Sequence, residues 1–287
     1  MQYVNLNDGN KMPILGYGVY QIDDLKECQH CVEDALAVGY RLIDTAQAYF
    51  NEEAVGAAIK TALAGGVRRE ELFVTTKLWI SDMSQSGAAR AFEVSMKKLG
   101  LDYLDLYLLH QPFGDVYGAW RTMSRLKNEG RIRSIGVSNF YPDRLMDFCL
   151  HNEIAPSVDQ VECSPLYARF DAQKTMAELG VAMQSWAPFG EGRSGLLENE
   201  ILKSIGAKHG KSVAQVILRW LVQRGVIVIP KTVSKERMEQ NFSVFDFALD
   251  EADMARIARM DGKKSLFLDH RDPQTVKFLS DYHKNRS

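Results

Sequence analysis

The sequence predicts an α/β protein: a (β/α)8 TIM barrel of parallel strands, with a short N-terminal β-hairpin and a C-terminal extension. Three observations carry that reading. Strand-like and helix-like segments alternate eight times along the chain. The strand-like runs are short, apolar and rich in Ile, Leu, Val and Tyr, as strands buried on both faces are. No linker, low-complexity tract or composition shift divides residues 1–287, so they are expected to form a single domain. Repeated βα units imply a parallel sheet with right-handed crossovers, and eight of them suggest closure into a barrel. An open doubly wound sheet uses the same units and is the alternative.

The elements follow in order. Val4 to Leu6, the turn Asp8-Gly9, and Met12 to Leu15 read as a hairpin. The first barrel strand is Leu15–Val19, followed by a helix over Asp24–Val38. Strand 41–44 leads to helix Glu52–Ala64, with Asn51 before an acidic first turn. Strand 73–77 precedes helix Ser84–Leu99, and strand 104–110 precedes helix Val116–Asn128. Strand Ser134–Val137 is followed by helix Pro142–His151, whose proline suits the first turn. Strand Val158–Val161 and helix Ala172–Leu179, strand Ala182–Trp186 and helix Ser212–Gln223, and strand Val226–Ile229 and helix Lys235–Phe242 complete the count. Gly39, Gly100, Gly180 and Gly225 each follow a helical stretch, where glycine supplies the left-handed turn.

Bulk properties exclude several classes. With 46% hydrophobic residues the chain can bury a large core, and a net charge of −2 gives no reason to expect nucleic acid or a membrane surface as partner. There is no apolar run of 18 residues and no basic-then-apolar start, so a cytoplasmic protein is expected. Four cysteines are too few to staple a chain this long. Cys28-x-x-Cys31 falls inside the first helix rather than at a strand-to-helix turn, which suits buried thiols better than redox or metal chemistry, so no metal is expected. The sequon at Asn241 carries nothing in a cytoplasmic protein.

Chemistry is expected at the carboxyl ends of the strands, the mouth where ligands bind in such folds. Three consecutive strands end on groups ill suited to packing: Asp44 with nearby Tyr49, then Lys77, then His110. Each has an ordinary alternative, as a cap, a surface aromatic, a solvated strand end or a core histidine. Together they form a pattern.

These residues lie in segments that resemble signatures of the aldo-keto reductase family: Gly39-Tyr-Arg-Leu-Ile-Asp-Thr-Ala-Gln-Ala-Tyr49, Leu101-Asp-Tyr-Leu-Asp-Leu-Tyr-Leu-Leu-His110, Ile135-Gly-Val-Ser-Asn-Phe140 and Ile229-Pro-Lys-Thr232. The four occur in the family's order, and the likeness runs through essentially the whole chain. It implies a (β/α)8 barrel, NADPH as hydride donor, and reduction of a small-molecule carbonyl, with Tyr49, Asp44, Lys77 and His110 catalytic. By the same resemblance Ser138, Asn139 and Gln160 would hydrogen-bond the nicotinamide carboxamide and Trp186 would stack on its face. Trp186, where many members carry Tyr, points to the bacterial branch of sugar-acid and small-dicarbonyl reductases. Many members are monomers, and a monomer is expected here.

Elementary chemistry agrees with that assignment. Hydride addition to a carbonyl creates an alkoxide that needs a proton, and tyrosine, with a pKa of about 10, is a poor donor at neutral pH. A unit charge about 4 Å away is worth roughly 4 kcal/mol at an effective dielectric near 20, close to three pKa units. Lys77 is therefore expected to bring Tyr49 into a useful range, Asp44 to hold Lys77 in place and charged, and His110, as neutral imidazole, to orient the substrate oxygen. An amine kept protonated by Asp44 argues against the alternative of a Schiff-base lyase at Lys77. Binding of NADPH with little turnover, in a sensor or scaffold, is a third reading, against which the intact set of four weighs.

The cofactor's other end is expected at the eighth unit. Lys231 and Thr232 follow the strand and Arg237 lies on the next helix; Lys231 and Arg237 suit a 2′-phosphate and so favour NADPH over NADH, Gln240 and Asn241 would face the adenine, and Lys235 is read as surface. Gly190-Glu-Gly-Arg-Ser-Gly195 fits G-x-G-x-x-G, yet follows the seventh strand rather than the first and lacks the distant acidic partner. It reads instead as a mobile loop over the pyrophosphate. Glu191 is awkward there unless it turns outward or pairs with Arg193. Tyr20, Trp79, Phe113 and His110, with Phe267, Leu268 and His270 from the tail, are candidates for the substrate pocket, although His270 reads better as part of a solvated charged turn.

Overall fold

A computed structural model describes residues 1–282. The hairpin is β1 (Tyr3–Asn5) against β2 (Lys11–Pro13), antiparallel. Eight parallel strands then run in chain order: β3 (Tyr17–Gly18), β4 (Leu42–Asp44), β5 (Phe73–Leu78), β6 (Leu104–Leu109), β7 (Ile132–Ser138), β8 (Val158–Glu162), β9 (Ala182–Trp186) and β10 (Ile227–Val228). The outer strands meet at a seam where Leu15 bridges Val228 in parallel. There Gly16 N donates to Val228 O at 2.8 Å and Val228 N to Ile14 O at 2.9 Å, which closes the (β/α)8 barrel rather than leaving an open sheet.

The helices are α1 (Leu25–Val38), α2 (Glu52–Ala64), α3 (Gln85–Leu99), α4 (Val116–Asn128), α5 (Pro142–Leu150), α6 (Phe170–Glu178), α7 (Glu200–His209), α8 (Val213–Gln223), α9 (Lys235–Phe242), α10 (Glu251–Ala258) and α11 (Pro273–Asp281). Side-chain caps start most of them: Asp24, Ser84 and Asp115 each accept from a backbone N–H three residues on, and Ser212 with Gln215 forms a capping box. Among the described residues no helix is long and apolar enough to cross a membrane.

Several boundaries differ from the sequence reading. The first and last barrel strands shrink to two residues each, because the seam pairs through a single bridge. Helix α6 begins at Phe170, two residues early, and α7, α10 and α11 were not anticipated. Asn51 does not cap α2. Its amide accepts from Thr45 Oγ1 at 2.8 Å and donates to Val19 O at 2.9 Å, so it staples the first two strand ends together. Glu52, in the acidic first turn of α2, is buried and accepts from Thr76 Oγ1 at 2.7 Å. Cys28 and Cys31 are buried, unbridged thiols of α1, and burial pushes Cys28 up to about 12. In β7, Gly136 is required by close approach: a Cβ there would lie 2.5 Å from Val158 O of the adjacent strand.

Asp8 pins the hairpin turn to the barrel, accepting from Lys127 Nζ at 2.8 Å and Ser157 Oγ at 3.0 Å. Burial works to raise its pKa, but the Lys127 ion pair and hydrogen bonds outweigh it and hold the carboxyl below its ordinary 3.8. A depressed folded-state pKa means stability that is complete above the unfolded value and is lost as pH falls through the folded one. Thermal melts should therefore show a small loss below about pH 4 that is absent in Asp8→Asn.

Candidate active site

The strand ends bring the predicted groups together. Asp44 ends β4, Lys77 lies one residue from the end of β5 and His110 follows β6, while a 3-10 turn over Gln47–Tyr49 carries the tyrosine back over them. Asp44 pairs in register with Thr75, so Lys77, two residues on, shares Asp44's face inside the barrel. Lys77 is fully buried. Its ammonium donates to Asp44 Oδ1 at 2.5 Å, Thr45 O at 2.9 Å and Tyr49 Oη at 3.2 Å, which uses all three of its N–H groups.

The electrostatics correct one expectation. Tyr49 is not drawn down toward neutrality; burial, reinforced by the Asp44 charge, pushes its pKa well above 10. The reason is geometric: Lys77 is already neutralised by Asp44, so the phenol faces a tight ion pair rather than a bare cation. Burial pulls Lys77 down while Asp44 pulls it back up, and burial raises Asp44 while Lys77 opposes it. Because Tyr49 Oη accepts from Lys77, its own proton points away from the lysine.

Aromatic contacts fix the surroundings. Tyr49 packs against Tyr20 at 4.9 Å and edge-on to His110 at 5.6 Å, and Trp79 closes on the other side of His110 at 4.9 Å. Gln47, which the sequence reading passed over, holds the Trp79 backbone N–H at 2.9 Å and Asp82 at 2.8 Å.

The predicted carboxamide group is already a hydrogen-bonded network. Ser138 Oγ donates to Gln160 O at 2.7 Å, and Asn139 Nδ2 donates to His110 O at 3.1 Å. Asn139, in a left-handed conformation at φ 64 that asparagine tolerates better than most residues, accepts from Trp186 Nε1 at 2.9 Å and so sets the indole plane. Gln160 Nε2 donates to Asp44 Oδ2 at 2.8 Å and to Gln184 Oε1 at 3.0 Å. Both amide hydrogens of Gln160 are thereby spent inside the barrel, and its Oε1 is the group left to accept from a ligand amide. Gln184 gave no sequence signal, since a polar residue inside a β-strand reads as noise without its partner.

One cleft of about 910 Å³ joins these residues to Tyr20, Trp186, Lys231, Thr232, Arg237, Gln240 and Asn241. That is large enough for a dinucleotide and a small second ligand together. Lys231 and Arg237 are exposed at its far end, whereas Lys235 is tied to Asp34 at 2.9 Å. Glu191 resolves as one of the two expected options, with Arg193 at 3.7 Å, and its loop is a run of 3-10 turns with left-handed residues at Glu191, Gly192, Ser194 and Gly195.

Two pocket assignments need correction. Phe113 stacks on His270 at 6.2 Å and packs with Trp79 and Leu279, so it backs the wall rather than forming it. His270 is no solvated turn: it is buried, lines the cleft, and is pushed down to about 4 first by burial and then by Arg169, which leaves it neutral at physiological pH.

A closed barrel with a buried acid and amine, a half-buried phenol and an imidazole converging at one end of a long cleft defines the class: a (β/α)8 enzyme of the oxidoreductase type. The chain belongs to the aldo/keto reductase family, whose model matches residues 15–261. It is 44% identical over 255 residues to a glyoxal reductase of Bacillus subtilis, covering 88% of this chain and 91% of that one. To a methylglyoxal reductase of Yersinia pestis it is 43% identical over 266 residues, covering 92% and 94%. The crystal structure of an aldo-keto reductase from Bombyx mori in complex with NADP superposes with a TM-score of 0.90 at 36% identity, covering 96% of each chain.

Proposed function

We propose that this protein reduces small aldehydes, 2-oxoaldehydes and keto-sugars to alcohols with NADPH, Tyr49 donating the proton. The observation that carries this is the saturation of Lys77. With three acceptors around the ammonium, one of them Tyr49 Oη, the phenol must donate outward, into the cleft and toward a substrate oxygen. Its raised pKa keeps the proton on Tyr49 until charge develops on that oxygen.

Bound NADPH would supply the hydride, and the residues above suit it. Gln160 Oε1 would accept from the carboxamide, Trp186 would offer a ring face beside it, and Lys231 and Arg237 would meet the 2′-phosphate while Thr232, Gln240 and Asn241 would surround the adenosine. On the substrate side His110 orients the carbonyl oxygen against Tyr49, and Tyr20 and Trp79 wall the pocket. The carbonyl carbon gains a hydride and its oxygen gains the Tyr49 proton, after which the tyrosinate sits beside Lys77 and recovers its proton from solvent. Lys77 itself is a poor Schiff-base nucleophile, because Asp44, Thr45 and Tyr49 occupy every N–H it has. The same reading has the chain working as one domain and a cytoplasmic monomer, without nucleic-acid partners, in keeping with its net charge of −2.

The test is NADPH consumption by the purified protein against methylglyoxal, an aromatic aldehyde, a diketo-gluconate and a steroid ketone. Turnover of the small carbonyls supports the proposal; tight NADPH binding with none of the four reduced would favour a sensing role instead. For the adenosine end, Arg237→Ala should raise the KM for NADPH by about tenfold or more and leave that for NADH nearly unchanged, because the 2′-phosphate is the difference between them. Equal effects on both would move the phosphate site elsewhere.

A further inference from the structure

The tail that follows α10 crosses the mouth of the barrel and contributes Phe267, Leu268 and His270 to the cleft. Nothing in its own secondary structure holds it there, since no helix or strand covers residues 262–272. Its ends are tied by Gly262 N donating to Leu166 O at 2.9 Å and Tyr141 Oη to Asp269 Oδ1 at 3.1 Å; what holds its middle is a side chain outside the cleft's lining. Glu162, the last residue of β8, is 3% exposed and uses both carboxylate oxygens on the tail: Ser265 Oγ donates to Oε2 at 2.5 Å and Leu266 N to Oε1 at 2.9 Å. The Ser265 oxygen accepts in turn from the backbone N–H groups of Phe267 and Leu268, each at 3.0 Å. One carboxylate and one hydroxyl therefore fix four consecutive residues of an otherwise irregular segment.

The position of that anchor gives it a consequence for the pocket. Glu162 is the register partner of Trp186, so the strap is fastened beside the indole, and Phe267 lies 5.3 Å from the Trp186 ring with the Arg193 guanidinium on it at 5.0 Å. Leu268 packs into the small cluster of Ala48, Trp79 and Leu279 that backs the substrate end. A shift of Ser265 would carry Phe267 and Leu268 with it, because their amides are bonded to its oxygen.

We infer that Glu162 is a positioning residue for substrate selection, a carboxylate latch that with Ser265 sets the distance between the strap and the reacting end of the cleft. It touches neither substrate nor cofactor; it acts through Phe267, Leu268 and His270. This rests on the reductase reading above. It follows that carbonyl compounds large enough to lie against the strap depend on the latch and that two- or three-carbon aldehydes, held near Tyr49 and His110, do not. The middle of the strap is held by directional polar bonds to one strand end, so substitutions at Glu162 and Ser265 release residues 265–268 while the ends stay tied at Gly262 and Asp269.

The test compares Glu162→Gln, Ser265→Ala and the double variant with the unaltered protein. For 4-nitrobenzaldehyde KM should rise about tenfold in each single variant with kcat within about twofold, the methylglyoxal constants and the NADPH Kd should hold, and the double variant should be no worse than the singles. Hydrogen exchange, read without cofactor or substrate, should quicken at the amides of Leu266, Phe267 and Leu268 in the variants. Unchanged exchange at those amides, additive effects in the double variant, or KM rising equally for both aldehydes would each overturn the latch. Ser265→Ala removes a hydroxyl from a surface segment and keeps the test sound if Glu162→Gln proves unstable. Absence of turnover in the unaltered protein would count against the reductase reading, while the exchange result would still decide whether Glu162 holds the strap.

Discussion

Tyr49→Phe should lower turnover by about 10² or more while leaving NADPH affinity within a few fold. The phenyl ring keeps the packing against Tyr20 at 4.9 Å and His110 at 5.6 Å, so the pocket's shape survives. What disappears is one oxygen with two functions: it accepts from Lys77 and presents a proton to the cleft. Losing the acceptor leaves one buried N–H of Lys77 unmatched, which costs about 1–3 kcal/mol and should appear as a modestly lower Tm. Losing the proton should appear in kcat alone. Steady-state kinetics with fluorescence titration of NADPH separates the two. Turnover of the variant close to that of the unaltered protein would remove Tyr49 from the chemistry and leave His110, at the same strand-end cluster, as the next donor to examine.

How far the sequence disclosed this arrangement depends on what kind of signal each part leaves. The inner strands β4 to β9 were legible because each is a short apolar run between turn residues, and Asp44, Lys77 and His110 stood out because charge or imidazole is out of place at the end of such a run. Closure left almost no trace: the seam consists of Leu15, Gly16 and Val228 meeting across more than two hundred residues. The supporting layer was hidden for a different reason. Gln160 is legible through family resemblance, but that its amide is spent on Asp44 and Gln184 is a property of β8 in register with β9 and of β4 reaching it across the barrel. Asn51 stands where a cap belongs, yet the Thr45 hydroxyl and the Val19 carbonyl claim its amide first. His270, in the charged string Asp-His-Arg-Asp, carries every mark of a solvated turn, and only the docking of the tail buries it. Helix α7 did have its signals, Asn199 as cap and Gly210 at the far end, but they lie after the glycine-rich loop, which drew the reading toward phosphate binding.

The second large effect concerns stability as much as chemistry. Asp44→Ala should lower stability by about 3–5 kcal/mol, because it leaves Lys77, with none of its surface exposed, without a counter-charge in the barrel interior. It also strips Gln160 of the acceptor at 2.8 Å that orients its amide. At roughly 2–4 °C per kcal/mol for a domain of this scale, Tm should fall by about 10 °C, and turnover should be lost with it. The pair itself is a different matter from either half. Two buried charges cost desolvation that their attraction only just offsets, so replacing both by apolar side chains of similar volume, Asp44→Leu with Lys77→Met, should recover most of the lost stability. Activity should stay absent, because Tyr49 would have no ammonium to accept from and its tyrosinate nothing to rest against. Thermal denaturation of the single and double variants, with NADPH turnover measured on each, distinguishes these. A double variant as unstable as Asp44→Ala would mean that the loss comes from the orphaned Gln160 and Tyr49 rather than from an uncompensated Lys77. A double variant that is stable and inactive would establish that the ion pair is kept for the proton chemistry at Tyr49 and not for the fold.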